Sequence, residues 1–142
     1  MPKSAIAAEM YEMMLKEYGI QRLLAIEVNH CPQSYACLIE SEAHGKLVYS
    51  GDTLPCQNLI NYASQCKVLI HEATHEDMLE NDAFAKKHTT MSQAIDIGIK
   101  ANAWRTILTH FSPRYNKVAE LEKSHIEKKA LIAFDHMRVS FS

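Results

Sequence analysis

His71-Glu72-Ala73-Thr74-His75 has the H-E-x-x-H spacing with which metalloproteases hold zinc between two imidazoles and activate its water through the intervening Glu. That chemistry requires a helix, on which residues four apart share a face. The preceding Lys67-Val68-Leu69-Ile70 is a short apolar run with β-branched side chains and no capping residue ahead of it, so it predicts a buried strand. Along a strand, His71 and His75 would stand roughly 13 Å apart, beyond the reach of one ion. A protease centre is therefore not expected. The informative feature is a hydrophobic strand that ends in His and Glu.

The same arrangement recurs three times. Leu23-Leu24-Ala25-Ile26-Glu27-Val28 runs into Asn29-His30, Leu47-Val48-Tyr49 into Ser50-Gly51-Asp52-Thr53, and Thr106-Ile107-Leu108 into Thr109-His110-Phe111-Ser112. Helical segments are predicted between these runs, from Pro55 to about Cys66 and from Met91 to about Ala101. The second carries a capping box, Thr90-Met91-Ser92-Gln93, and a left-handed stop at Asn102. Alternating strands and helices predict an α/β layered domain, in which polar residues at equivalent strand ends gather on one rim of the sheet. Imidazoles and carboxylates there suit zinc or manganese. One His beside a strand is more often a hydrogen-bonded structural residue. Four strand ends of the same kind weigh against that reading.

A chain of 142 residues with 47% hydrophobic content can bury the core of one domain, and its net charge of -2 gives no global attraction for polyanions. Cys31, Cys37, Cys56 and Cys66 have no CxxC spacing and no secretory signal ahead of them, so reduced thiols inside the cell are expected. The stretch from Ser4 to Tyr18 carries Glu9, Glu12, Lys16 and Glu17, which excludes a transmembrane span. It predicts an amphipathic helix that buries Ile6, Met10, Met13 and Met14 and stops at Gly19.

Five motifs stand in order: Asn29-His30-Cys31-Pro32, Tyr49-Ser50-Gly51-Asp52-Thr53, Ile70-His71-Glu72-Ala73-Thr74, Lys87-His88-Thr89-Thr90 and Thr109-His110-Phe111-Ser112-Pro113-Arg114-Tyr115. Together they resemble the later motifs of the metallo-β-lactamase superfamily, and within it the tRNase Z family, zinc-dependent endoribonucleases that remove 3′ trailers from precursor tRNA. The resemblance runs from about residue 23 to 141 and is nearest to the carboxyl-terminal half of the long type. It implies that residues 1–142 form a single partial domain, the carboxyl-terminal half of a metallo-β-lactamase-like αββα sandwich. It also implies precursor tRNA as partner and the amino-terminal half of the domain as a second. Self-association into a homo-oligomer is expected where the face for that half is open, and no membrane is involved. The implied compartment is the nucleus or the mitochondrion. The family's first metal motif, H-x-H-x-D-H, is absent: no two histidines here are separated by one residue, and none precedes His30.

Residue by residue, the resemblance implies that His30 binds one metal, His110 the other, and Asp52 bridges them, since a carboxylate can span ions about 3.5–4 Å apart. The implied cofactor is zinc in a two-metal site, with manganese as the alternative. His88 is the implied general acid or phosphate ligand, with Glu72 accepting a hydrogen bond from its other ring nitrogen. Thr89, Arg114 and Tyr115 would contact phosphate and a terminal base. His44, His75, His125 and His136 are expected to be structural or at the surface, and His71 to face away from Glu72. Without the upstream motif the chain alone is expected to be inactive. Another hydrolase of the superfamily and a non-catalytic half-domain scaffold are the competing readings.

Overall fold

In the computed structural model, which describes residues 5–112 and 129–140, α1 (Ala5–Glu17) ends before Gly19, whose φ of 64° is the left-handed geometry glycine adopts freely. β1 (Ile20–Glu27), β2 (Tyr35–Ser41) and β3 (Gly45–Tyr49) follow as an antiparallel meander. β4 (Val68–Glu72), β5 (Arg105–Thr109) and β6 (Ala130–Ile132) add to β3 in parallel, so that one six-stranded sheet runs in sequence order. α2 (Gln57–Ala63) crosses from β3 to β4. A 3₁₀ turn (Asp77–Leu79), α3 (Glu80–Lys86) and α4 (Met91–Lys100) connect β4 to β5. β1 runs in the direction of β3, β4 and β5, so the carboxyl ends of these four strands share one edge.

Strand alternation decides which side chains meet the helices. Ile26, Ala36, Leu38, Val48 and Leu69 bury against Leu59 and Ala63 of α2 and Ile97 and Ala101 at the end of α4. A smaller cluster joins Ala94 and Ile95 to Leu108 and Ala130. The α4 capping box forms as expected: Thr90 Oγ1 receives the Gln93 N–H, and the Gln93 side chain receives the Thr90 N–H. Asn102 takes the predicted left-handed turn with φ 50°.

On the other face, cross-strand register aligns Ala25, Cys37, Tyr49, Ile70, Ile107 and Leu131 in one apolar row. Tyr49 in that row is 42% exposed. Among the described residues, no helix is long and apolar enough to cross a membrane.

Two strands, β2 and β6, go beyond the four apolar runs, and α1 corrects the expected methionine stripe. Met10 and Met13 are 56% and 68% exposed. Ala8, Tyr11 and Leu15 are the half-buried positions, and the Tyr11 hydroxyl donates to the Leu23 carbonyl at 2.8 Å. An aromatic ring with a polar tip suits the edge strand β1, where one end must satisfy backbone, and this fixes the rotation of the helix. The side chains of Ile6 and Met14 lie outside the described set.

α4 approaches β5 most closely at Gly98, where an added Cβ would stand 1.9 Å from Thr106 Oγ1 and 3.0 Å from its Cβ. Gly98→Ala is expected to destabilise the fold by about 1–3 kcal/mol through overpacking, against the ~1 kcal/mol that alanine gains in a helix. Adding Thr106→Ala should recover part of the loss. Urea unfolding midpoints check this, and an unchanged midpoint for Gly98→Ala would show that the close approach does not exist.

Candidate functional site

The shared carboxyl edge gathers the polar residues that end each strand. Beyond β1, the Asn29 N–H donates to Thr53 Oγ1 at 3.1 Å, which ties the segment carrying His30 to the one carrying Asp52. Asp52 is set by a turn at Gly51, with φ 59°, where any Cβ would lie 2.9 Å from the Tyr35 carbonyl oxygen. Only glycine fits that backbone. Ser50 Oγ accepts the Glu72 N–H at 3.0 Å and donates to the Gly51 carbonyl at 2.6 Å, which fastens the same turn to β4.

Glu72, at the end of β4, is buried and accepts from three segments at once. Oε1 receives the Thr53 N–H at 2.8 Å and His88 Nδ1 at 2.9 Å. Oε2 receives the Thr89 N–H at 3.2 Å, the Thr74 N–H at 3.3 Å and the Thr74 hydroxyl. Burial by itself pushes the Glu72 carboxyl up, but the hydrogen bonds from Thr74, Thr53, His88 and Thr89 outweigh it and hold the group below its ordinary value. Glu72 is therefore an ionised acceptor with its oxygens fully engaged.

That charge assigns the tautomers of three histidines. An ionised carboxylate only accepts, so His88 must carry its proton on Nδ1. The Thr74 hydroxyl gives its one proton to Glu72, so His110 Nδ1, 2.8 Å from Thr74 Oγ1, must be the donor there. His30 Nδ1 lies 2.8 Å from the Lys87 carbonyl, which likewise accepts only. Each ring thus keeps its Nε2 lone pair for a ligand, the outer-partner arrangement of metal-bound histidine. The His88 ring centroid stands 4.9 Å from that of His30 and 5.7 Å from that of His110, and His110 Nδ1 is 3.7 Å from Asp52 Oδ1. The ligating atoms of His30, Asp52 and His88 lie within 4.8 Å of one another, as do those of Glu72, His88 and His110. The donor set fits a divalent metal of the zinc kind.

His30, Asp52, Glu72, His88 and His110 therefore converge, whereas the Thr89 side chain is turned into the interior. It is fully buried, with its hydroxyl donated to the Thr53 carbonyl and its N–H to Glu72, because the short link from His88 into α4 passes beneath the carboxylate. Arg114 and Tyr115 lie outside the described residues. His71 is buried on the helix-covered side, away from Glu72 as expected, with Nδ1 2.7 Å from the Glu72 carbonyl oxygen. His75 is also buried; its backbone bridges to Thr90 and its ring stands 5.8 Å from His88. Thr53 and Thr74 are site residues that the motif reading leaves without a task. Their signal is a hydroxyl one residue after Asp52 and two after Glu72.

The pH dependence follows from these shifts. Glu72 titrates lower in the fold than when unfolded, so its stabilisation is present above the ordinary value of 4.5 and is lost as pH falls through the folded value. Burial pushes His71 down, so the unfolded chain takes up a proton first, and an earlier loss begins as pH falls through 6.5. Glu72→Gln places an amide donor among donors and should cost about 1–3 kcal/mol near neutral pH. It should also flatten the lower acid limb while leaving the upper one. Denaturant titrations across pH read both, and parallel limbs in the two proteins would contradict the assignment.

No family model matches the chain. It is 40% identical over 139 residues to a relative named tRNase Z TRZ3, mitochondrial, from Arabidopsis thaliana, a match covering 91% of this chain and 16% of that protein. The crystal structure of a long form RNase Z from yeast superposes with a TM-score of 0.75 at 34% identity, over 89% of this chain and 18% of that one. The metallo-β-lactamase fold protein YhfI from Bacillus subtilis superposes with a TM-score of 0.63 at 19% identity, over 78% of this chain and 46% of that one, a likeness of fold alone. The chain spans about one sixth of the length of the first curated relative. The sheet, its helices and these likenesses show a metallo-β-lactamase-type α/β fold, and the chain is homologous to one segment of the tRNase Z proteins.

Proposed function

We propose that this segment forms the carboxyl-terminal half of a zinc-dependent endoribonuclease centre that removes 3′ trailers from precursor tRNA. The observation that carries the reading is the His88 ring, held by Glu72 at 2.9 Å and set between His30 and His110. In the complete centre His30, Asp52 and His110 would hold a two-metal site, with zinc favoured by the imidazoles and manganese the alternative. Zinc bound there would polarise the scissile phosphate and neutralise charge as it develops.

His88 acts as general acid at the leaving 3′ oxygen. When doubly protonated it pairs with Glu72 through Nδ1 and delivers the Nε2 proton, and because Nδ1–H stays on the carboxylate the ring keeps its aim. Arg114 and Tyr115 are the proposed contacts for phosphate and the terminal base, and Thr89 supports Glu72 from beneath. The name of the Arabidopsis relative favours the mitochondrion as compartment, with the nucleus second.

The apolar row from Ala25 to Leu131 is the proposed seat of the amino-terminal half, which would bring H-x-H-x-D-H. Left open, the row drives self-association.

A chimera in which residues 20–140 replace the matching segment of the yeast long form tests the proposal. It should cut precursor tRNA at the 3′ trailer and run as a defined species, while the 142-residue chain self-associates. His88→Ala in the chimera should lower kcat by about 10²–10⁴ with zinc content unchanged. A folded, zinc-loaded chimera that leaves precursor tRNA intact, or one indifferent to His88→Ala, would overturn it.

A further inference from the structure

We propose that His75 is a positioning residue for His88: its buried ring fixes the plane of the imidazole that delivers the proton. The inference deepens the reading of His88 as general acid and rests on it.

One hydrogen bond does not aim a ring. The Glu72 carboxylate holds His88 Nδ1 at 2.9 Å, which pins one atom and leaves the plane free to swing about it. Three rings flank His88 within reach of that swing, with centroids 4.9 Å away for His30, 5.7 Å for His110 and 5.8 Å for His75. His30 is half-buried and His110 exposed, and both are proposed metal ligands, so their aim is set toward the metal. His75 is 6% exposed, and its ring is tilted 35° to that of His88. Of the three it is the wall that the fold itself holds still.

His75 is also tied to the segment it braces. Its N–H donates to the Thr89 carbonyl at 3.3 Å, its carbonyl accepts the Met91 N–H at 3.2 Å, and a β-bridge pairs it with Thr90. These bonds grip the three residues that follow His88, and Thr90 is in turn locked in the capping box of α4. Brace and acid therefore share one short piece of backbone. Aim matters at this scale, because a displacement of about 1 Å costs a catalytic group on the order of 10²-fold.

The chemistry of the ring says what it supplies. His75 Nδ1 is buried with no hydrogen-bond partner, which weakens the fold and gives nothing in return as a polar contact. Burial, with Lys86 and His88 nearby, pushes the imidazole down against the opposing pull of Glu72 and Asp82, so the ring is neutral. A neutral ring with its inner nitrogen unused acts as a flat wall and not as a second acid. Phenylalanine should therefore replace it, and alanine should not.

Both substitutions in the yeast chimera, and in the metal-free 142-residue chain, test the proposal. In the chimera, His75→Ala should lower kcat about tenfold while KM and zinc content stay within about twofold, and His75→Phe should restore kcat to within about threefold of the parent. In the 142-residue chain, ¹³C relaxation should show the His88 ring losing order in His75→Ala and keeping it in His75→Phe. Urea unfolding should find His75→Phe at least as stable as the parent, since the unpartnered nitrogen is gone. An undiminished kcat in His75→Ala, a loss in His75→Phe equal to that in His75→Ala, or a His88 ring whose order ignores His75 would overturn the assignment. A chimera inactive before either substitution would sink the nuclease reading, and the ring order alone would then decide whether His75 braces His88.

Discussion

The Glu72 carboxylate is the interaction on which the rest of the edge depends. A buried carboxylate without partners would cost several kcal/mol and take up a proton instead. Here donors from the Asp52 loop, from Thr74 two residues beyond the end of β4 and from the His88-Thr89 link all converge on it. Each lost donor would cost about 1–3 kcal/mol. The three segments are therefore mutually required: the charge is tolerated only when all are in place, and they are held in place by the charge.

From that anchor the chemistry spreads outward by proton bookkeeping. An acceptor at the centre makes His88 a donor through Nδ1, takes the Thr74 proton, and so makes His110 a donor as well. The Lys87 carbonyl does the same for His30. Lone pairs on three rings then face outward as a consequence of one ionised group and one backbone turn. Part of the arrangement is strained: His110 and Lys87 both have positive φ, at 62° and 59°, a conformation that costs a non-glycine residue of order 1–3 kcal/mol. Such strain persists where the surroundings over-determine it, which the hydrogen bonds to Thr74 and His30 do.

Much of this was legible in the residues themselves. The runs before His71 and His110 specify strands because their burial is nearly continuous, those before His30 and Asp52 are legible as short apolar runs although fewer of their positions are buried, and Thr90, Gln93, Gly19 and Asn102 mark helix ends through local backbone chemistry. What stayed hidden depends on long-range packing. β2 begins with Tyr35 exposed and mixes apolar with polar positions, and β6 has three residues, too few to show a period. Met10 and Met13 fit a helical stripe as well as Ala8, Tyr11 and Leu15 do, and only the Tyr11 bond to β1 decides between them. Thr53, Thr74 and Thr89 look alike in sequence, yet all three serve Glu72, and their partners lie up to 36 residues away.

The most direct test of this account is the tautomer of His88 in the metal-free chain, read from long-range ¹⁵N–¹H correlations of the imidazole rings above the titration of the free side chain. The account predicts a single Nδ1–H form for His88 that becomes a mixture when Glu72 is replaced by Gln. A His88 ring in the Nε2–H form, or one averaging freely between tautomers with Glu72 intact, would contradict it.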